Sequence, residues 1–171
     1  IVTHGLRGLQ NGVHSPGLRA LLEVSGVHGD VTAEDLGFRL GPRINAAGRL
    51  AEATPVIELF DEQDPARARG RAQALDRLNA ERRRIQGDLV DRCIAQLADP
   101  PPPFVVIWGT EADGWHRGVV GIVAAKVRDH TNRPTAVVAV SGEEARGSIR
   151  STPGVHAVHA LDSAADLLMG H

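Results

Sequence analysis

The sequence predicts an α/β chain: a helical N-terminal part, a long helix, then a strand–helix–strand unit. Three observations predict it. Residues 1–62 carry helical apolar spacing punctuated by glycines. Residues 64–99 keep one thin apolar stripe through a highly charged stretch. Beyond four prolines, Pro100 to Pro103, short β-branched runs alternate with a helical one.

Val2, Leu6 and Leu9 fall on one helical face. Pro16 suits the first turn of a second helix, where its missing N–H has no partner to lose, and Gly26 suits the end. Thr32, with Glu34 and Asp35 behind it, reads as an N-cap followed by acids that favour the positive end of the helix dipole. That helix runs into LGPRINAAGRL, Leu40 to Leu50. Gly41-Pro42 is expected to interrupt it, because proline lacks an N–H and restricts the residue before it. From Arg43 onward the chain is then expected to turn. Thr54-Pro55 starts another short helix through Phe60.

Asp64-Pro65 opens the long helix, expected to end near Asp99. Leu75, Leu78, Ile85, Leu89 and Cys93 recur along it at threes, fours and a seven. One narrow stripe suits a strut between domains. Arg82-Arg83-Arg84 at its centre read as a solvated face, or else as cations following a DNA backbone. The prolines cannot continue the helix and favour a stiff connector. Phe104 to Trp108 reads as a buried strand, Gly118 to Val127 as a helix, and Thr135 to Val140 and Ala145 to Ser151 as two more strands. His156 to Met169 has helical spacing through Val158, Leu161, Ala165 and Leu168. This order predicts at least one parallel strand pair.

Composition bounds the function. The 171 residues allow one domain or two small ones, and 42% hydrophobic content suffices for a core. A net charge of −2 excludes a global basic field, and 3% aromatics with no Tyr argue against a binder that stacks many bases. Lys126 is the only lysine among 19 basic residues, an arginine bias that fits a GC-rich genome. Cys93 is the sole cysteine, which excludes an intrachain disulfide and a cysteine-built zinc site and fits a reducing, cytoplasmic setting. No apolar run approaches the roughly 18 residues of a membrane span, so no membrane partner is expected.

Three places could carry chemistry. LGPRINAAGRL sets Arg43, Asn45 and Arg49 among Gly41, Ala46, Ala47 and Gly48. Small residues admit a ligand or a backbone, and arginine offers a planar fork for phosphate. The same run also reads as packing with arginines in water. Arg146, Ser148 and Arg150 alternate along a strand, so they share a face, either as a phosphate grip or as solvent-facing surface. Gly114-Trp115-His116-Arg117-Gly118 precedes a helix whose free N–H groups suit phosphate, with His116 as a contact and Trp115 as core or stacking partner. His156, His159 and Asp162 share a helix face, but no second cluster closes a metal site there. The sequence has no Gly-Lys-Ser or Gly-Lys-Thr and no Gly-x-Ser-x-Gly elbow, which removes the Walker and nucleophile-elbow readings.

LGPRINAAGRL resembles the end of the catalytic domain in RecJ-type exonucleases of the DHH phosphoesterase superfamily. WHRGVVGIVAAKV, Trp115 to Val127, resembles the opening of the DHH-associated domain. ARGSIRSTPGVHAVHAL, Ala145 to Leu161, resembles a later strand and helix of it, and PGLRALLEVSG, Pro16 to Gly26, also fits. The four stretches stand in the family's order. The resemblance implies the helical end of a DHH catalytic domain over 1–62, a connecting helix and proline linker over 63–103, and an incomplete DHH-associated domain over 104–171. The family's Asp-His-His motif is absent, and the chain opens on Ile1, so it is expected to be an internal fragment.

For the parent protein the resemblance implies a 5′-to-3′ single-stranded-DNA exonuclease of repair and recombination. It would use two divalent ions, Mn2+ or Mg2+, to activate water. Other repair proteins are expected as further partners. This fragment is assigned no catalytic residue and no metal ligand. Arg43, Asn45, Arg49, His116, Arg117, Arg146, Ser148 and Arg150 are assigned to DNA or phosphate. Two other readings stay open: a phosphodiesterase for short oligonucleotides or cyclic dinucleotides, and a non-catalytic nucleic-acid-binding module.

Overall fold

A computed structural model describes residues 2–12 and 15–170. Ile1 and His171, which bound the expected segments 1–62 and 104–171, lie outside the described residues. The chain forms two compact units, residues 1–83 and 84–171, and the division falls inside the long helix.

The first unit is helical: α1 (Val2–Gln10), α2 (Pro16–Val24), α3 (Ala33–Asp35), α4 (Gly41–Leu50), α5 (Thr54–Asp61) and the first part of α6 (Pro65–Ala95). Ser15 caps α2, its hydroxyl accepting from the Leu18 N–H at 3.3 Å, and Pro16 sits in the first turn. Gly26 follows the end of α2 with φ +68°, a conformation glycine adopts without strain. Thr32 and Asp35 cap each other's backbone as a capping box. Leu21, Leu59, Ala68, Ala72 and Leu75 are fully buried in one cluster. A Cβ on Gly17 would lie 1.8 Å from the Leu59 carbonyl oxygen, so only glycine lets α2 and α5 come this close.

At Gly41-Pro42 the structure departs from expectation. The helix is not interrupted: it widens into a π turn over Leu36–Leu40 and continues as α4 to Leu50. The Gly41 N–H reaches back to the Leu36 carbonyl, five residues earlier. The wider turn takes in a proline ring that would clash in a regular α-turn. A Cβ on Gly41 would sit 3.0 Å from that carbonyl. Arg43 therefore lies on a helix, not after a turn.

In the second unit, β1 (Val105–Thr110), β2 (Thr135–Ser141) and β3 (Glu144–Arg150) form a sheet of order β1-β2-β3. The first pair is parallel, with Val105 opposite Thr135, and the second antiparallel, with Ala139 opposite Arg146. α7 (Val120–Thr131) links β1 to β2 and packs on β2 and β3. Val105, Ile107, Val123, Val127 and Val137 are buried, as is Trp115, which is core. A Cβ on Gly109 would meet the Trp115 ring at 2.2 Å.

Three expectations are corrected here. β1 is not a buried strand but an edge strand, with Val106 and Trp108 more than 60% exposed while Val105 and Ile107 are buried. α6 ends at Ala95, short of Asp99. The His156–Met169 helix is only α8 (Ala157–Asp162), followed by a short 3-10 turn over Ala165–Leu167. Val158, Leu167 and Met169 are exposed, so the apolar spacing has no core to pull it into one helix.

Candidate nucleic-acid interface

In the first unit, the expected residues divide by environment. Arg43 is committed to protein. Its Nε donates to Asp76 Oδ1 at 2.8 Å, Nη1 to the Arg39 carbonyl at 2.7 Å, and Nη2 to the Val24 carbonyl at 3.3 Å. Asn45 and Arg49 are exposed and line a concavity of about 450 Å³ with Gly48, Val56 and Ile57. Ala46 and Ala47, expected to admit either a ligand or a backbone, are fully buried, so their smallness serves packing. Burial, and then the charges of Arg83 and Arg49, push the Arg82 guanidinium below its usual range. Arg82 donates to the side-chain oxygen of Asn79 at 2.9 Å, and Asn79 is buried. Arg82 is therefore not part of a simple solvated face.

In the second unit, the structure brings Ser148 and Arg150 to the first turn of α7. Arg150 Nη1 donates to Ser148 Oγ and to the Ile149 carbonyl, each at 2.8 Å. A Cβ on Gly121 would lie 3.2 Å from both Arg150 Nη2 and Ser148 Oγ. The absence of a side chain there admits the guanidinium and hydroxyl to the helix terminus. α7 has no side-chain cap at Val119, so its positive end is left to backbone N–H groups. The sequence reading missed Gly121. A glycine inside the apolar run VVGIV was the available signal, since such a glycine marks close approach.

The segment leading into α7 is a tight turn. The Val119 N–H reaches the His116 carbonyl at 3.0 Å, and the Gly118 N–H donates to His116 Nδ1 at 3.1 Å. With Nδ1 accepting, the neutral imidazole carries its proton on Nε2, a ready donor. Arg117 is exposed. His116 and Arg117 line a concavity of about 690 Å³. Arg146, on the same strand as Ser148, is exposed and lies 3.7 Å from Glu144. Three guanidiniums (Arg117, Arg146 and Arg150), the Ser148 hydroxyl, the His116 imidazole and the N-terminus of α7 in this unit are each suited to an oxyanion.

No group of three or more His, Cys, Asp or Glu among the described residues could hold a metal ion. His156 and His159 stack with ring centroids 3.9 Å apart, and His156 Nδ1 accepts from the His159 N–H. That histidine caps α8. The residues present do not fit the divalent ions the resemblance implies, and no chemical step here passes through them. No described helix is long and apolar enough to cross a membrane.

Residues 103–171 match the DHHA1 domain family. The chain is 37% identical over 95% of its length to the single-stranded-DNA-specific exonuclease RecJ of Dickeya dadantii, covering 29% of that protein. It is 35% identical over 98% of its length to RecJ of Bacillus subtilis, covering 22% of it. Among solved structures, RecJ from Thermus thermophilus in complex with Mg2+ superposes with a TM-score of 0.78 at 37% identity, over 90% of this chain and 23% of that one. An exonuclease RecJ bound to manganese gives 0.77 at 38% identity, over 37% of its chain. This chain thus spans less than two-fifths of each of these relatives. The α/β architecture, with its long helix and three-stranded sheet, matches the DHHA1 region of RecJ. Over nine-tenths of its length the chain is similar, in sequence and in fold, to one region of the single-stranded-DNA-specific exonuclease RecJ.

Proposed function

We propose that this chain is the substrate-holding part of a RecJ-type 5′-to-3′ exonuclease acting on single-stranded DNA in repair and recombination. Residues 1–62 are the end of its catalytic domain, 63–103 the connector, and 104–171 the DNA-holding domain. The supporting observation is the seating of Ser148 and Arg150 against the glycine-bearing first turn of α7, a donor set matched to a phosphate. His116, Arg117 and Arg146 are further DNA contacts of the second unit, and Asn45 and Arg49 are DNA contacts of the first unit, taken by itself. Mn2+ or Mg2+ and the bond-breaking residues belong to the rest of the larger protein, and the setting is cytoplasmic. Other repair proteins are its further partners.

The chain alone is expected to bind single-stranded DNA and not to cut it. Titrating it with 5′-phosphorylated and 5′-hydroxyl oligonucleotides, followed by incubation with Mn2+, tests both parts. The reading expects tighter binding of the phosphorylated strand, sensitivity to Arg150→Ala, a smaller loss for Ser148→Ala, and no hydrolysis. Arg150→Lys should also weaken binding, since a point charge lacks the bidentate fork. Equal binding by the parent chain and Arg150→Ala would reduce β3 to a scaffold. Robust Mn2+-dependent degradation by the pure chain would overturn the division of labour.

A further inference from the structure

The turn before α7 also borders a second setting, away from Ser148 and Arg150. β1 and β2 are parallel, and their carboxyl ends, Thr110 and Ser141, stand side by side. Crevices outside the carboxyl ends of parallel strands are where open α/β sheets take ligands. A concavity of about 690 Å³ lies there, lined by Ser141, Glu111, His116, Arg117 and, from α6, Arg84. That volume falls within the roughly 300–1,000 Å³ of small-ligand sites. Arg84 is 62% exposed and braced by Asp88, four residues on, at 3.0 Å. Arg92, two turns further along α6, donates to the Asp113 carbonyl beside the same turn. The helix is thereby tied to the loop that carries His116 and Arg117.

We propose that Arg84 is a DNA-binding residue: with Arg117 and His116 it holds a backbone phosphate in the crevice at the carboxyl ends of β1 and β2. The proposal rests on the single-stranded-DNA reading above and adds a contact from the long helix to it. Two guanidiniums and an imidazole donor face a single carboxylate, Glu111, so the lining favours an anion. The carboxylate gives the idea a second sign: Glu111 opposes a phosphate that Arg84 attracts. Asp88 braces Arg84 without lining the crevice, so its removal separates helix stability from binding.

The test uses the full chain and a fluorescent, 5′-phosphorylated oligothymidylate, with affinity measured across a salt series. Arg84→Ala should weaken binding about 3- to 10-fold and reduce the salt slope by about 0.7, the value for one phosphate contact on a single strand. Glu111→Gln should tighten binding a few-fold. Melting curves confirm that each variant is folded. Asp88→Asn controls for the helix brace, and a slope change in it matching that of Arg84→Ala would overturn the assignment. If Arg150→Ala loses affinity while Arg84→Ala keeps the parental affinity and slope, the proposal fails and the DNA reading stands. If the parent chain does not bind, both fail.

Discussion

Arg43 and Arg49 share one helix, and the fork of Arg43 is tied to Asp76 and to two carbonyls, those of Arg39 and Val24. Removing Arg43 leaves a carboxylate and two carbonyls short of a donor. Arg43→Ala should cost about 2–3 kcal/mol of stability, read as a lowered denaturant midpoint. Arg49→Ala should cost mainly DNA affinity. The opposite pattern would exchange the two roles. Cys93 makes a separate prediction. It is fully buried, and burial pushes its thiol up to about 11. A thiol-specific reagent at neutral pH should modify it only as fast as the chain opens. Rapid stoichiometric labelling of the folded chain would contradict its burial. Local chemistry of this kind was partly legible in the sequence. Arginine among small residues marked the segment, but which arginine faces protein depends on Asp76 and Val24, which are distant in sequence.

At the scale of elements, Glu62 ties α5 to the start of α6. Its carboxylate accepts from the Gln63 and Asp64 N–H groups and pairs with Arg67 at 2.9 Å and Arg71 at 3.3 Å. Foremost the Asp64 N–H, then Arg71, Arg67 and the Gln63 N–H, hold its pKa below the ordinary value against the opposing effect of burial. A folded pKa below the unfolded one stabilises above the unfolded value, and that stability is lost as pH falls through the folded value. Glu62→Gln should lower stability at neutral pH and flatten its decline in acid. An unchanged acid limb would remove Glu62 from the account. At the α2–α5 crossing, Gly17→Ala would drive a methyl into the Leu59 carbonyl and should cost about 3 kcal/mol, at the upper end of overpacking losses. Element starts were legible because caps are local: Pro16, Thr32 and Thr54-Pro55 stand where helices begin. The π turn before Pro42 was not, since a bond to the fifth residue back leaves no local signature. Nor was the exposure of Trp108, because an apolar run does not say whether a strand lies at the centre or the edge of its sheet.

For the whole molecule, the α/β order, the long helix and the parallel pair all follow from periodicity and from the proline break. The division inside α6, by contrast, depends on which helix residues each unit's core recruits. Ala68, Ala72 and Leu75 are buried in the first unit, Leu89 and Cys93 in the second. The small alanines extend a stripe that the large residues alone had suggested was thinner. The alternation of Arg146, Ser148 and Arg150 could be read from the sequence, but its meeting with Gly121 could not, because β3 and α7 are separated along the chain by β2 and meet only by packing. The central claim is that this meeting point holds a phosphate of single-stranded DNA. Amide NMR of the chain, titrated with a 5′-phosphorylated single-stranded oligonucleotide, tests it most directly. The account predicts the largest shifts at Gly118 to Gly121 and at Ser148 and Arg150, greatly reduced in Arg150→Ala. Saturable binding that leaves those amides unmoved would contradict it.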